Sequence, residues 1–269
     1  MPFFRNRLGK WCNKNNISEV IVGKDRVNRE KEWHNVSFVS GVRSKAYKFY
    51  SICDIKDKEW DEKIIKNLQK DTTVFLEYGC GHGQYLIKYA SMVKMGMGID
   101  ISETLINHAQ MEMKSQNVNN LEFSVMDAMN TSFENGYFDI IHGSAILHHL
   151  DLKKSLLEIK RILKDGGKAF FDEPLDTNLL IKIYRKMTPE ARTVDEQPLR
   201  RKDIKLIKSL FPETEIIYYG CLLLLAVPFR NYKVFNKLLQ IFYSMDKILL
   251  NKYSPFKWLG WCCTIVLKK

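Results

Sequence analysis

The segment Glu77-Tyr78-Gly79-Cys80-Gly81-His82-Gly83-Gln84 restricts the fold of this 269-residue chain more than any other. The apolar run Thr73–Tyr78 precedes it and reads as a strand, and the amphipathic Gln84–Lys94 follows as a helix. Glycines at alternate positions let the backbone turn tightly and approach a ligand with no Cβ in the way. The helix that follows presents unpaired N–H groups to a negatively charged part of that ligand. Asp100 stands 17 residues beyond Gly83, at the end of the next apolar run and beside Ile101. A carboxylate there can accept both hydroxyls of a ribose.

Glycine loops of this kind serve nicotinamide enzymes too, and three details discriminate. The spacing is G-x-G-x-G rather than G-x-G-x-x-G, which suits a ligand without a pyrophosphate. Glu77 would repel a pyrophosphate and attract an ammonium or sulfonium. Asp127, next to Ala128 after a third apolar run, can accept from an adenine amino group. The lesser alternative is that it caps its own turn.

The texture from Thr72 to Pro174 is strand alternating with helix. The expected strands are 73–78, 95–99, 121–125, 137–143 and 168–174, and the helices 84–94, 103–116 and 152–163. Asp165-Gly166-Gly167 is expected to end the last helix, because glycine readily takes the left-handed cap conformation. Such alternation predicts a parallel sheet with helices on both faces. Ahead of it, residues 44–53 and 57–68 have helical character. Behind it, 177–198 reads as a polar lid, followed by a helix (203–210), a strand (215–224), an amphipathic stretch (234–250) and a closing strand (258–267). The N-terminal helices, the lid and the inserted amphipathic stretch are expected over the carboxyl edge of the sheet.

EYGCGHG, GIDIS, VMDA, FDIIHGSAILHHL and RILKDGGKAFFDEPL, in this order and spacing, resemble the class I S-adenosylmethionine-dependent methyltransferases over about 72–175. The resemblance implies a doubly wound, Rossmann-like α/β sheet of seven strands with the last antiparallel, plus helical cap and lid segments. The implied division is an N-terminal helical cap (1–70), a cofactor-binding core (71–175), a lid insert and helix (176–213) and C-terminal strands carrying an inserted amphipathic helix (214–269). It further implies S-adenosylmethionine as cofactor, with Glu77, Gly79, Gly81 and Gly83 around the methionine moiety, Asp100 with Ile101 at the ribose, and Asp127 with Ala128 at the adenine. His142 and the N-terminal Tyr50 are added as candidates on the cofactor side.

Methyl transfer is an in-line displacement, so alignment matters most, and a base helps when the nucleophile carries a proton. His148 and His149 follow the fourth strand, where ligands of open α/β sheets bind. His149 is the expected general base, with His148 and Glu173 as further catalytic candidates. In amine-methylating members of the family an acid often precedes this histidine by one helical turn, whereas Ala145 stands here. His142-Gly143-Ser144-Ala145 also lacks the Asn/Asp-Pro-Pro-aromatic signature of enzymes that methylate nucleobase or amide nitrogen. The expected acceptor is therefore a small molecule, methylated on oxygen and lipid-, polyketide- or sugar-like. Tyr184, Arg185 and Arg192 in the lid are its candidate binding residues.

Charge and composition bound the alternatives. Forty-two basic against 31 acidic residues give +11, with eight basic residues against Asp246 alone from Pro228 onward. An acidic membrane surface or RNA could exploit that excess, but no appended RNA-binding motif is present, so no specific nucleic-acid partner is expected. A non-catalytic protein that binds the cofactor is the other alternative. The longest apolar run, Cys221–Phe229, is far short of the roughly 20 residues a spanning helix needs. The charged opening MPFFRNRLGK does not read as a signal peptide. Six cysteines without C-x-x-C spacing read as reduced thiols, and a cytoplasmic location is expected.

Overall fold

The computed structural model describes residues 4–5, 11–12, 25–40, 52–188, 193 and 195–269. Seven strands form one sheet: β1 (Val74–Tyr78), β2 (Met95–Asp100), β3 (Leu121–Val125), β4 (Phe138–Ser144), β5 (Leu163–Pro174), β6 (Glu215–Tyr219) and β7 (Cys262–Lys268). Their order is β3-β2-β1-β4-β5-β7-β6. All pairings up to β5 are parallel, and β7 runs antiparallel to both of its neighbours, with Phe170 opposite Val266 and Ile217 opposite Thr264. This is the expected doubly wound sheet. The chain order reverses between β1 and β4, and such a switch point opens a crevice at the carboxyl edge.

Strand alternation sorts the core onto two faces. Leu76 and Tyr78 of β1 pack with Leu156 and Ile159 of α5 (Leu152–Ile162) and with Ile204 and Ile207 of α7 (Arg201–Leu210). Phe75 points the other way, to Leu86 of α3 (Gln84–Tyr89), Ala109 of α4 (Glu103–Ser115) and Trp60 and Ile64 of α2 (Asp54–Ile65). Lys56 of α2 is buried and pairs with Asp172 at the end of β5. Helix α2 thus covers a face of the sheet rather than its carboxyl edge. The edge is occupied by α1 (Arg26–Ser40), a helix the sequence reading did not foresee; the short stretch read as helical at 44–53 lies almost wholly outside the described residues.

Three local expectations are corrected. Helix α5 ends at Leu163, which is already extended and pairs with Phe138; Gly166 is left-handed (φ +78°) inside a bulge of β5, where its N–H reaches the Lys269 carbonyl. The strand expected to reach residue 224 stops at Tyr219, because Gly220 turns left-handed (φ +81°) and buried Asp246 accepts the N–H groups of Cys221, Leu222 and Leu223. The chain there becomes a 3-10 helix, Leu222–Phe229, that packs with Leu239 and Tyr243 of α8 (Phe235–Leu249). The closing strand begins at Cys262, since Pro255–Leu259 forms a further 3-10 turn. The polar 177–198 segment contains α6 (Leu179–Met187). No helix among the described residues is long and apolar enough to cross a membrane.

Candidate active site

The turn after β1 is made by Gly79 and Gly81, both left-handed at φ +76° and +54°. A Cβ on Gly79 would stand 2.7 Å from Ile146, so only glycine lets this loop meet the loop after β4. Around Gly81 a Cβ would meet nothing within 4 Å; that space belongs to the crevice. Gly83 differs in role from its neighbours. Its missing Cβ makes room for Phe123 and Ala109 in the core, and it does not line the crevice.

Three carboxylates converge on the resulting cavity of about 450 Å³. Asp100 accepts the Gly81 N–H at 2.9 Å and the Ser102 N–H at 2.8 Å, one on each oxygen, which fixes its orientation. Burial pushes its pKa up, although those backbone bonds oppose the rise. Glu77 is buried, accepts the Leu86 N–H at 3.0 Å, and is pushed up to about 8 by desolvation, with Asp100 adding to the rise. Asp127 caps its own turn through the Met129 N–H at 2.8 Å and also lines the cavity. Ile101 and Ala128 line it too.

His142 does not. It lies opposite Glu77 in the sheet, buried under Tyr85 with ring centroids 4.9 Å apart, and burial lowers its pKa to about 4. Tyr85 is the aromatic that reaches the cavity from that side.

The loop after β4 supplies the far wall. Ala145 takes a left-handed conformation (φ +56°), uncommon for a residue with a Cβ, and holds it through a hydrogen bond from its N–H to the Asp172 carbonyl. Glu173, expected to face the acceptor, is instead turned beneath this loop. It accepts the N–H groups of Ile146, Leu147 and His148 and contacts His148 Nδ1 at 2.7 Å, leaving neither residue on the cavity wall. Their geometry is that of a brace. The brace aims His149 into the cavity, where burial, with His148 alongside, holds its pKa below the ordinary imidazole value.

Helix α1 closes the cavity with Arg26, Val27, Glu30 and His34. It is clasped to the lid by a two-point pair, Arg29 to Asp195 at 2.7 and 2.8 Å, and by a hydrogen bond from Thr193 to Glu30 at 2.6 Å. Arg185 bonds Glu196 at 2.7 Å, and Glu196 lies 3.7 Å from His148 Nε2, so Arg185 ties the lid to the brace rather than reaching the cavity. Tyr184 is half-buried on α6 and also off the cavity wall. Tyr50 and Arg192 lie outside the described residues. The residues sequence reasoning missed are those of α1. The signal was present as Glu30-x-x-x-His34, a spacing that places both side chains on one helical face.

Residues 76–171 match the family model of a methyltransferase domain. Sheet order, glycine turn and acidic crevice agree with that match: residues 76–171 carry a methyltransferase domain of the class I, S-adenosylmethionine-dependent type. The site fits that cofactor, since three acids face a cationic ligand across a turn with open space at Gly81. Among individual proteins, the chain is 29% identical over 195 residues to the demethylmenaquinone methyltransferase of Lactococcus lactis subsp. lactis, covering 64% of this chain and 77% of that one. It spans about half the length of further curated relatives. In fold it is similar to geranyl diphosphate C-methyltransferase from Streptomyces coelicolor A3(2), with TM-score 0.56, 11% identity, and coverage of 79% of this chain and 78% of that one. It is likewise similar to the YcgJ protein from Bacillus subtilis, with TM-score 0.52, 16% identity, and coverage of 79% and 99%.

Proposed function

We propose that this chain methylates an oxygen of a small, lipophilic acceptor of lipid-, polyketide- or sugar-like character. One observation supports the reading most: a single cavity is lined both by the three acids and by His149, with Val27, Ile146 and Leu150 also on its wall. A cavity of about 450 Å³ suits a small molecule rather than a strand or a folded polymer. The names of two similar proteins, a demethylmenaquinone methyltransferase and a geranyl diphosphate C-methyltransferase, also favour an apolar acceptor.

The bound cofactor supplies an electrophilic methyl group on a sulfonium. Glu77, Asp100 and Asp127 would hold its methionine, ribose and adenine parts. The Glu173 brace and the α1–lid clasp would fix the acceptor in line and keep water out, the two contributions that alignment and a dry site make. His149, neutral at physiological pH because of its burial, would take the hydroxyl proton in the metal-free chain.

The outer surface supports delivery of such an acceptor from an acidic bilayer. Leu179, Leu180, Ile183 and Met187 of α6 and Ile241, Met245 and Ile248 of α8 are exposed among lysines. The one acid between Pro228 and the end, Asp246, is fully buried and contributes nothing to that surface. Incubation with labelled cofactor and fractionated lipid, small-molecule and RNA pools, followed by mass spectrometry, tests the proposal. Label on an ether or ester oxygen of a small lipophile is expected, and label confined to RNA would refute it.

A further inference from the structure

Glu30, His34 and His149 sit together on the wall of the cavity. Glu30 and His34 lie one helical turn apart on α1, and His149 comes from the turn after β4. One ligand atom from each falls within 4.8 Å of the others. Glu30 Oε2 is 3.1 Å from His149 Nδ1 and 3.7 Å from His34 Nε2. Donors placed about 2.0–2.1 Å from a zinc-sized cation in tetrahedral array are separated by about 3.3 Å, so these spacings bracket that edge.

A second observation is independent of the spacing. Glu30 and His149 are each only 5% exposed, yet Oε2 and Nδ1 complete no hydrogen bond of usable geometry. Thr193 satisfies the other oxygen of Glu30 and steers Oε2 towards the two rings. A buried carboxylate oxygen and a buried imidazole nitrogen left in this state cost free energy unless something occupies the point they share.

We propose that Glu30, His34 and His149 bind a divalent transition cation of zinc or iron(II) type, with its open position facing the acceptor. Two imidazoles and one carboxylate favour such a cation over magnesium or calcium, which prefer oxygen donors. Three protein ligands with a position left open is the arrangement of a reactive rather than a structural centre. An acceptor hydroxyl bound there becomes more acidic and releases its proton to bulk solvent as it binds, before methyl transfer. The resulting alkoxide or enolate oxygen bonds to the methyl carbon as the carbon–sulfur bond breaks. The bonding pair stays on sulfur, giving the methyl ether and S-adenosylhomocysteine. With the cation in place His149 holds metal rather than proton. That step rests on the acceptor reading above; the site itself does not.

The test is a titration of chelator-stripped protein with Co²⁺, followed by its visible absorption, and competition by Zn²⁺. Saturation at one cation per chain with the intense bands of four- or five-coordinate cobalt is expected. Glu30→Gln and His34→Gln should each weaken binding by about tenfold or more. Glu30→Asp and His34→Cys, which keep a donor atom, should bind measurably. S-adenosylhomocysteine affinity, measured in parallel by calorimetry, should be unchanged in all of them, so loss of the cofactor site would show separately. Absence of saturable cobalt binding by the parent protein, or parental affinity in His34→Gln, overturns the assignment.

Discussion

Replacing Glu77 with glutamine asks directly whether the cofactor's positive charge is what the crevice recognises. In the protein by itself burial holds this carboxyl at a pKa of about 8, so near pH 7 roughly ten chains carry it protonated for each that carries it ionised. A cationic ligand that pairs with the carboxylate selects the ionised form. Its apparent affinity should therefore rise with pH, by about fiftyfold between pH 6 and pH 8, or about 2.3 kcal/mol, and level off above pH 8. Glu77→Gln cannot ionise and should show a weak, flat profile. The assay is calorimetric titration with S-adenosylmethionine at pH 6, 7, 8 and 9. A stability measurement supplies the opposite sign. Because the native pKa of about 8 exceeds the reference value of 4.5, the folded chain holds a proton that the unfolded chain has released between those values. Stability should thus be fullest below pH 4.5 as far as this group is concerned, and should fall as pH rises to 8. The glutamine variant should lack that component. A pH-independent affinity in the parent protein, or the same slope in both proteins, would refute the reasoning.

Asp100→Ala should weaken cofactor binding by about 1–3 kcal/mol, since it removes charge-assisted bonds and frees the Gly81 amide; unchanged calorimetric affinity would contradict the ribose assignment. Gly79→Ala should cost about 1–3 kcal/mol of stability, because strain at φ +76° is joined by collision with Ile146. Gly81→Ala has room for its Cβ and should melt nearer the parent while losing cofactor affinity, a split that thermal melting and calorimetry can resolve. Asp246→Ala orphans three N–H groups at the start of the 3-10 helix and should lower stability by about 3 kcal/mol with little effect on cofactor affinity; a melt within a degree of the parent would count against that cap. Vesicles of phosphatidylglycerol should sediment the protein and vesicles of phosphatidylcholine should not, with binding lost at high salt; equal retention on both would remove charge from the account.

The α/β core was legible because its determinants are local. Apolar runs of strand length, helices with one apolar stripe and glycines at alternate positions each carry their meaning within about ten residues, and β1 to β4 fall within a residue of where those patterns place them, while β5 contains the expected run but starts five residues earlier. Element ends were less legible where a distant group decided them. The β6 strand stops at Tyr219 under the influence of Asp246, 27 residues away in sequence, and the Gly166 turn is tied to the last residue of the chain.

The sequence by itself determined the succession of strands and helices through the core and the glycine turn, and it placed Glu77, Asp100 and Asp127 at the ends of successive strands, because parallel strands deliver their carboxyl ends to one edge whatever the loops do. Only the tertiary structure decided which candidate side chains turn towards the cavity. Glu173 went beneath the loop and His142 into the face of the sheet, while Glu30 and His34 arrived from a helix more than 100 residues from His149. Such choices depend on which buried N–H groups need an acceptor and on which surfaces the cap must cover, and those partners meet only when the chain has closed.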